Sequence, residues 1–99
     1  MKLALFARLE ARPGKEKEVA EFLQQGLALA NQEATTLMWF ALRIGPTTFA
    51  IFDTFGDEAG RQRHLGGPIA QALMARAPEL FATPPMIEPL EVLGAKLAA

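Results

Sequence analysis

Apolar and polar positions alternate through "KLALFARLEA", Lys2 to Ala11. Leu3, Leu5, Ala7 and Leu9 fall on one side and Lys2, Ala4, Phe6, Arg8 and Glu10 on the other, the two-residue period of a strand. Pro13-Gly14 interrupts it, and the period then lengthens. In "KEKEVAEFLQQGLALANQEA", Lys15 to Ala34, the residues Val19, Phe22, Leu23, Gly26, Leu27 and Ala30 recur at steps of three and four. That is the apolar stripe of a helix, with Lys15, Glu16, Lys17, Glu18, Glu21, Gln24 and Gln25 on the opposite side. Gly26 within the stripe costs roughly 1 kcal/mol against alanine, which a close approach of the helix to the sheet would explain.

The two-residue period returns in Thr35–Ile44 and Thr47–Phe55, and Gly45-Pro46 between them predicts a hairpin. A turn of two or four residues sorts the side chains in one way. Met38, Phe40 and Leu42 share a face with Phe49, Ile51, Asp53 and Phe55. Leu37, Trp39, Ala41 and Arg43 share the other with Thr48, Ala50, Phe52 and Thr54. Asp57 then caps a short helix over Gly56–Leu65. Gly66-Gly67 ends it, and Pro68 opens another through Ala77, with Ile69, Leu73 and either Ala72 or Met74 facing inward. Pro78 marks the end of that helix. "MIEPLEVLGAKL" reads as a last strand, at the sheet edge because of Pro89.

The order β-α-β-β-α-β predicts the ferredoxin-like α+β class, an antiparallel sheet with helices on one face. The other face, carrying Trp39, Arg43 and Phe52, stays apolar and uncovered. An exposed patch of that size marks an interface, so the expected partner is a second copy, the two sheets packed face to face in a homodimer.

Composition narrows the picture. The 99 residues fit one domain, residues 1–99. There is no cysteine, which removes disulfides, thiol nucleophiles and cysteine-based metal sites. Lys and Arg number 10 against 11 Asp and Glu, giving a net charge of −1 and none of the basic excess of a nucleic-acid binder. No apolar run approaches a membrane span. The N-terminal apolar run is broken by Arg8 and Glu10 and so does not read as a signal peptide; the expected location is cytoplasmic.

His64 is the only histidine. As a general base it would need an orienting acid, and Asp53, on an otherwise apolar face, is the candidate. The plainer alternatives are a helix-end hydrogen bond for His64 and an ion pair pinning helix to sheet for Asp53, with Arg61 or Arg63 as other partners. Phe40, Phe55 and Met74 are candidate walls for a ligand. Trp39 could stack a flat ring, although its parity assigns it to the dimer face. One histidine among scattered acids does not make a metal site. With no serine in the chain there is no serine triad.

Three segments carry a family likeness: the Pro-Gly of "RPGKEKEVAEFL", the strand end in "FAIFDTFGDEAG", and "HLGGPIAQAL". Together they resemble the antibiotic biosynthesis monooxygenase (ABM) family of the dimeric α+β barrel superfamily, over nearly the whole chain. The resemblance implies a barrel-forming dimer with a pocket between sheet and helices in each subunit. It also implies a metal- and flavin-free monooxygenase activity on an aromatic or quinol, without a cofactor. Phe55 stands where the family often has Trp, Asp53 where it often has Glu, and His64 matches its common histidine. The haem-degrading branch has Asn, Trp and a ligating His where this chain has Ala7, His64 and Met74, which speaks against haem. A non-enzymatic ligand-binding or structural dimer, or a small isomerase, are the rival readings on the same scaffold.

Overall fold

The computed structural model describes residues 1–98; Ala99, the last residue of the expected domain, lies outside them. The elements are β1 (Leu3–Glu10), α1 (Glu16–Ala30), β2 (Thr36–Arg43), β3 (Thr48–Phe55), α2 (Glu58–Leu65), α3 (Pro68–Leu80) and β4 (Met86–Glu91). The strands form one antiparallel sheet in the order β2-β3-β1-β4, so the expected ferredoxin-like α+β architecture holds and β4, with Pro89, is an edge.

The core lies between the helices and one sheet face. Leu5, Ala7 and Leu9 of β1 pair with Asp53, Ile51 and Phe49 of β3. Val19 and Leu23 of α1 and Ile69 and Leu73 of α3 close over them, all buried. Burying an aliphatic side chain of this size contributes roughly 1.5–3 kcal/mol, so these few contacts hold the layers together. α1 ends at Ala30, short of the expected Ala34, and Leu27 is half-exposed rather than part of the inner stripe. α3 runs through Pro78 to Leu80, past the residue expected to stop it. Its end is anchored instead: the Arg12 backbone N–H donates to the Leu80 carbonyl and the Arg12 guanidinium to that of Pro78.

The hairpin overturns the expected sorting of β2. Arg43 pairs with Phe49, leaving Ile44 to Thr48 between them, an odd number of residues. The Ile44 and Gly45 N–H groups both donate to the Thr48 carbonyl, and the Thr47 and Thr48 hydroxyls both donate to the Glu10 carboxylate at 2.6 Å, fixing this connection against β1. An odd connection shifts β2 by one place, and one place exchanges the faces. Trp39 and Arg43 therefore lie on the helix-covered side, and Phe40 on the open side.

The open face carries Phe40 and Leu42, both exposed by about two-fifths, beside Phe52 and the exposed Met86. The rings of Phe40 and Phe52 stack with centroids 6.4 Å apart. After β4 the Val92 N–H donates to the Lys2 carbonyl, and beyond it Leu93 is 93% exposed.

Candidate functional site

His64 is buried and gripped from both sides. Its Nε2 lies 2.8 Å from Asp53 Oδ2 and its Nδ1 lies 2.7 Å from Glu33 Oε1. Three separate elements assemble this clamp. Asp53 comes from β3. Glu33 comes from the turn after α1, where its backbone N–H donates to the Ala30 carbonyl and its Oε1 also accepts from the Thr36 hydroxyl at 2.7 Å. His64 comes from α2, whose first turn is capped by Asp57 accepting from the Gly60 N–H at 2.8 Å, as the sequence predicts. Gly60 lets α2 lie close to that turn: a Cβ there would stand 3.2 Å from the Thr35 Cβ and 3.3 Å from its carbonyl oxygen.

The clamp favours the doubly protonated ring. An ionised carboxylate only accepts, so an imidazole facing one at each nitrogen carries both protons. Burial is the largest single influence on His64 and opposes its charge, but the hydrogen bonds and charges of Asp53 and Glu33 outweigh it, raising the pKa above the ordinary 6.5. A histidine in this state has no lone pair for a substrate proton. The expected Asp53–His64 contact is present, and its surroundings suit it to joining helix and sheet.

Phe55 is fully buried beneath the clamp, its ring centroid 5.3 Å from that of His64. It seats the imidazole and lines no roomy cavity, which corrects its expected place as a ligand wall. A partly enclosed void of about 30 Å³ adjoins Asp53 and His64, too small for a ring compound.

On its other side His64 borders a half-open hollow of about 320 Å³ with Glu33, Arg63 and Pro68. A larger cavity, lined mostly by apolar residues, lies elsewhere. About 400 Å³ in volume and half-open, it sits between α1, α3 and the sheet, lined by Phe22, Leu23, Gly26 and Leu29 from α1, Ile69 and Ala72 from α3, and Trp39 and Ile51 from the sheet. Gln25, Ala75 and Arg76 complete its lining. Gly26 meets the indole: a Cβ there would stand 3.2 Å from Trp39 Cη2 and 3.4 Å from Cζ2. The glycine in the helical stripe is thus explained by a close approach to the Trp39 side chain. Ile51 and Ile69 line both the cavity and the small void, so they form the wall between Trp39's chamber and the clamp.

The remaining expected site residues sort as follows. Trp39 lines the cavity and leaves the open sheet face. Arg43 also lies on the helix side, its guanidinium 4.6 Å over the Phe49 ring. Phe40 moves out to the open face, where it stacks on Phe52, the one expected interface residue that stands there. Met74 is 55% exposed beside Arg12 and Pro78, away from the cavity. Glu33 escaped the sequence reading, because nothing in the polar stretch after α1 marks a residue whose partner is 31 positions away. Among the described residues no group of His, Asp and Glu is placed to hold a metal ion, and no helix is long and apolar enough to cross a membrane.

Solved structures define the class. A candidate antibiotic biosynthesis monooxygenase from Caulobacter crescentus superposes with a TM-score of 0.80 at 19% identity, over 94% of this chain and 91% of its own. One from Nitrosomonas europaea gives 0.82 at 12% identity, over 93% and 99%. This is the ABM-like ferredoxin fold. Within it, the NE2512 protein of Nitrosomonas europaea, of unknown function, is 60% identical, with a TM-score of 0.96 over 99% of this chain and 95% of that one. The chain belongs to the same family as NE2512. No protein-family model and no curated protein matches it.

Proposed function

We propose that the Trp39 cavity is the ligand site of this protein and that its ligand is a small, flat aromatic or quinol. One observation carries this reading: a half-open, mostly apolar chamber of about 400 Å³ with an indole set into its wall by a glycine on the facing helix. Ligand sites of small molecules are concave, mainly apolar chambers with a few polar groups that orient the guest. The uncovered sheet face, with Phe40, Phe52, Leu42 and Met86, supports pairing with a second copy through that face.

A second reading, cofactor-independent oxygenation of the bound ring, is favoured by the mostly apolar lining of the chamber together with the fold shared with candidate monooxygenases. An electron-rich ring held as its anion can itself give an electron to dioxygen, and the protein's share is to bind it and exclude water. His64 has no part as a base here, because both of its nitrogens face carboxylates.

Trp39 is the only tryptophan, so its fluorescence reports on the cavity. Titration with a panel of hydroxylated naphthalenes and hydroquinones is expected to quench it saturably. A panel that leaves the emission unchanged rejects the cavity as the ligand site. Oxygen consumption with each quenching compound then tests the oxygenase reading: binding without uptake leaves a binding protein.

A further inference from the structure

The Trp39 cavity has a directional chemistry. Its deep end is made by Leu23, Ile51 and Ile69, all buried. Its polar side chains besides the indole are Gln25, which is exposed, and Arg76, whose side chain is 39% exposed, so both stand at the mouth. Arg76 is the one ionisable residue among those lining the cavity.

Its guanidinium lies 5.6 Å over the Phe22 ring, Nε donates to Glu79, and Nη2 stands 4.0 Å from Glu18. The Glu79 carboxylate is 54% exposed, and an ion pair so open to water holds its partner weakly. A guest's anionic oxygen arriving from the apolar side would meet the same guanidinium where water is partly excluded and the attraction is stronger. Arginine presents a planar fork of donors that suits a carboxylate or phenolate. No acid or imidazole lines the chamber to take a proton from a guest, so an anionic guest has to arrive ionised.

We propose that the cavity selects flat ring compounds bearing an anionic oxygen, carboxylate or phenolate, and that Arg76 is the residue that selects them. The ring lies against Trp39 and Phe22, and the anionic group exchanges with Glu79 for Arg76. This rests on the cavity being the ligand site.

The test is Trp39 fluorescence titration with 2-naphthoate and its neutral analogue 2-naphthalenemethanol. The wild type should bind the acid more tightly than the alcohol. Arg76→Gln should weaken the acid about tenfold, the scale of a hydrogen bond to a charged group, and leave the alcohol within about twofold. Arg76→Lys should restore part of the loss. Glu79→Gln, which removes the competitor, should tighten the acid alone. Equal affinity for acid and alcohol in the wild type, or an equal loss of both in Arg76→Gln, overturns the selection by Arg76 while the cavity remains the binding site. Quenching by neither compound overturns both readings.

Discussion

Trp39 and Asp53 stand opposite each other across the β2–β3 ladder, on the side of the sheet that the helices cover. From neighbouring positions they serve different ends. The indole turns to α1 and walls a ring-sized chamber, while the carboxylate turns to α2 and grips His64. The chemistry expected of one site is thus split between an apolar chamber without a base and a histidine held between two carboxylates beside a smaller, separate hollow.

The grip should be costly to break. Asp53→Ala leaves a buried imidazolium short of one partner, and losses on breaking such pairs are about 3–5 kcal/mol. Glu33→Gln should cost less, about 1–2 kcal/mol. The Glu33 side chain is 15% exposed against 2% for Asp53, and glutamine still accepts through its carbonyl. Urea unfolding of the two variants checks the order; a larger loss in Glu33→Gln would contradict the burial argument.

The pKa of His64 is raised on folding, so its stabilising effect is complete below the unfolded value near 6.5 and is lost as pH climbs through the higher folded value. Stability should therefore decline as pH rises from about 6.5. Nitrogen-15 spectra of the imidazole should show both nitrogens protonated at pH 6.5 and a midpoint above it. A neutral ring at that pH would remove the double clamp.

Gly26→Ala sets helix propensity against the indole. The new methyl group would sit 3.2 Å from Trp39, whose ring borders open space and can give way by a few tenths of an ångström. The melting midpoint should hold steady or rise, as alanine gains up to about 1 kcal/mol in a helix. Affinity for quenching ligands should fall, because the displaced ring takes their room. Unchanged affinity would show that ligands do not use this wall.

Phe52→Glu places a charge on the open sheet face, beside the ring it now stacks with. If a second copy covers that face, sedimentation velocity should show the wild type as a dimer and the variant as a monomer at micromolar concentration. A monomeric wild type would reject the pairing.

The sequence reveals most of the fold because its periods are strong: alternation in β1 and β3, the three-and-four step in α1, Asp57 as a cap, Pro68 at a helix start. It misplaces Trp39, Arg43 and Phe40 for a single reason. Gly45-Pro46 announces a turn but not its length, and face assignment hangs on whether that length is odd or even. Asp53 and His64 are legible as partners, since a lone acid on an apolar strand face needs one. Glu33 is not, because the third arm of the clamp is supplied by tertiary placement of a turn. Met74 points away for a similar reason: Ala72 and Met74 sit on opposite flanks of Leu73, and only packing against α1 decides which flank turns in.

The odd connection between Arg43 and Phe49 also decides which β2 side chains the helices cover. Loss or gain of one residue between Ile44 and Thr48 would slide β2 by one position and exchange its faces. Phe40 and Leu42 would then turn to the helix-covered side and Trp39 would leave it. The length of a turn that lies outside the chamber thus sets which β2 side chain forms its wall.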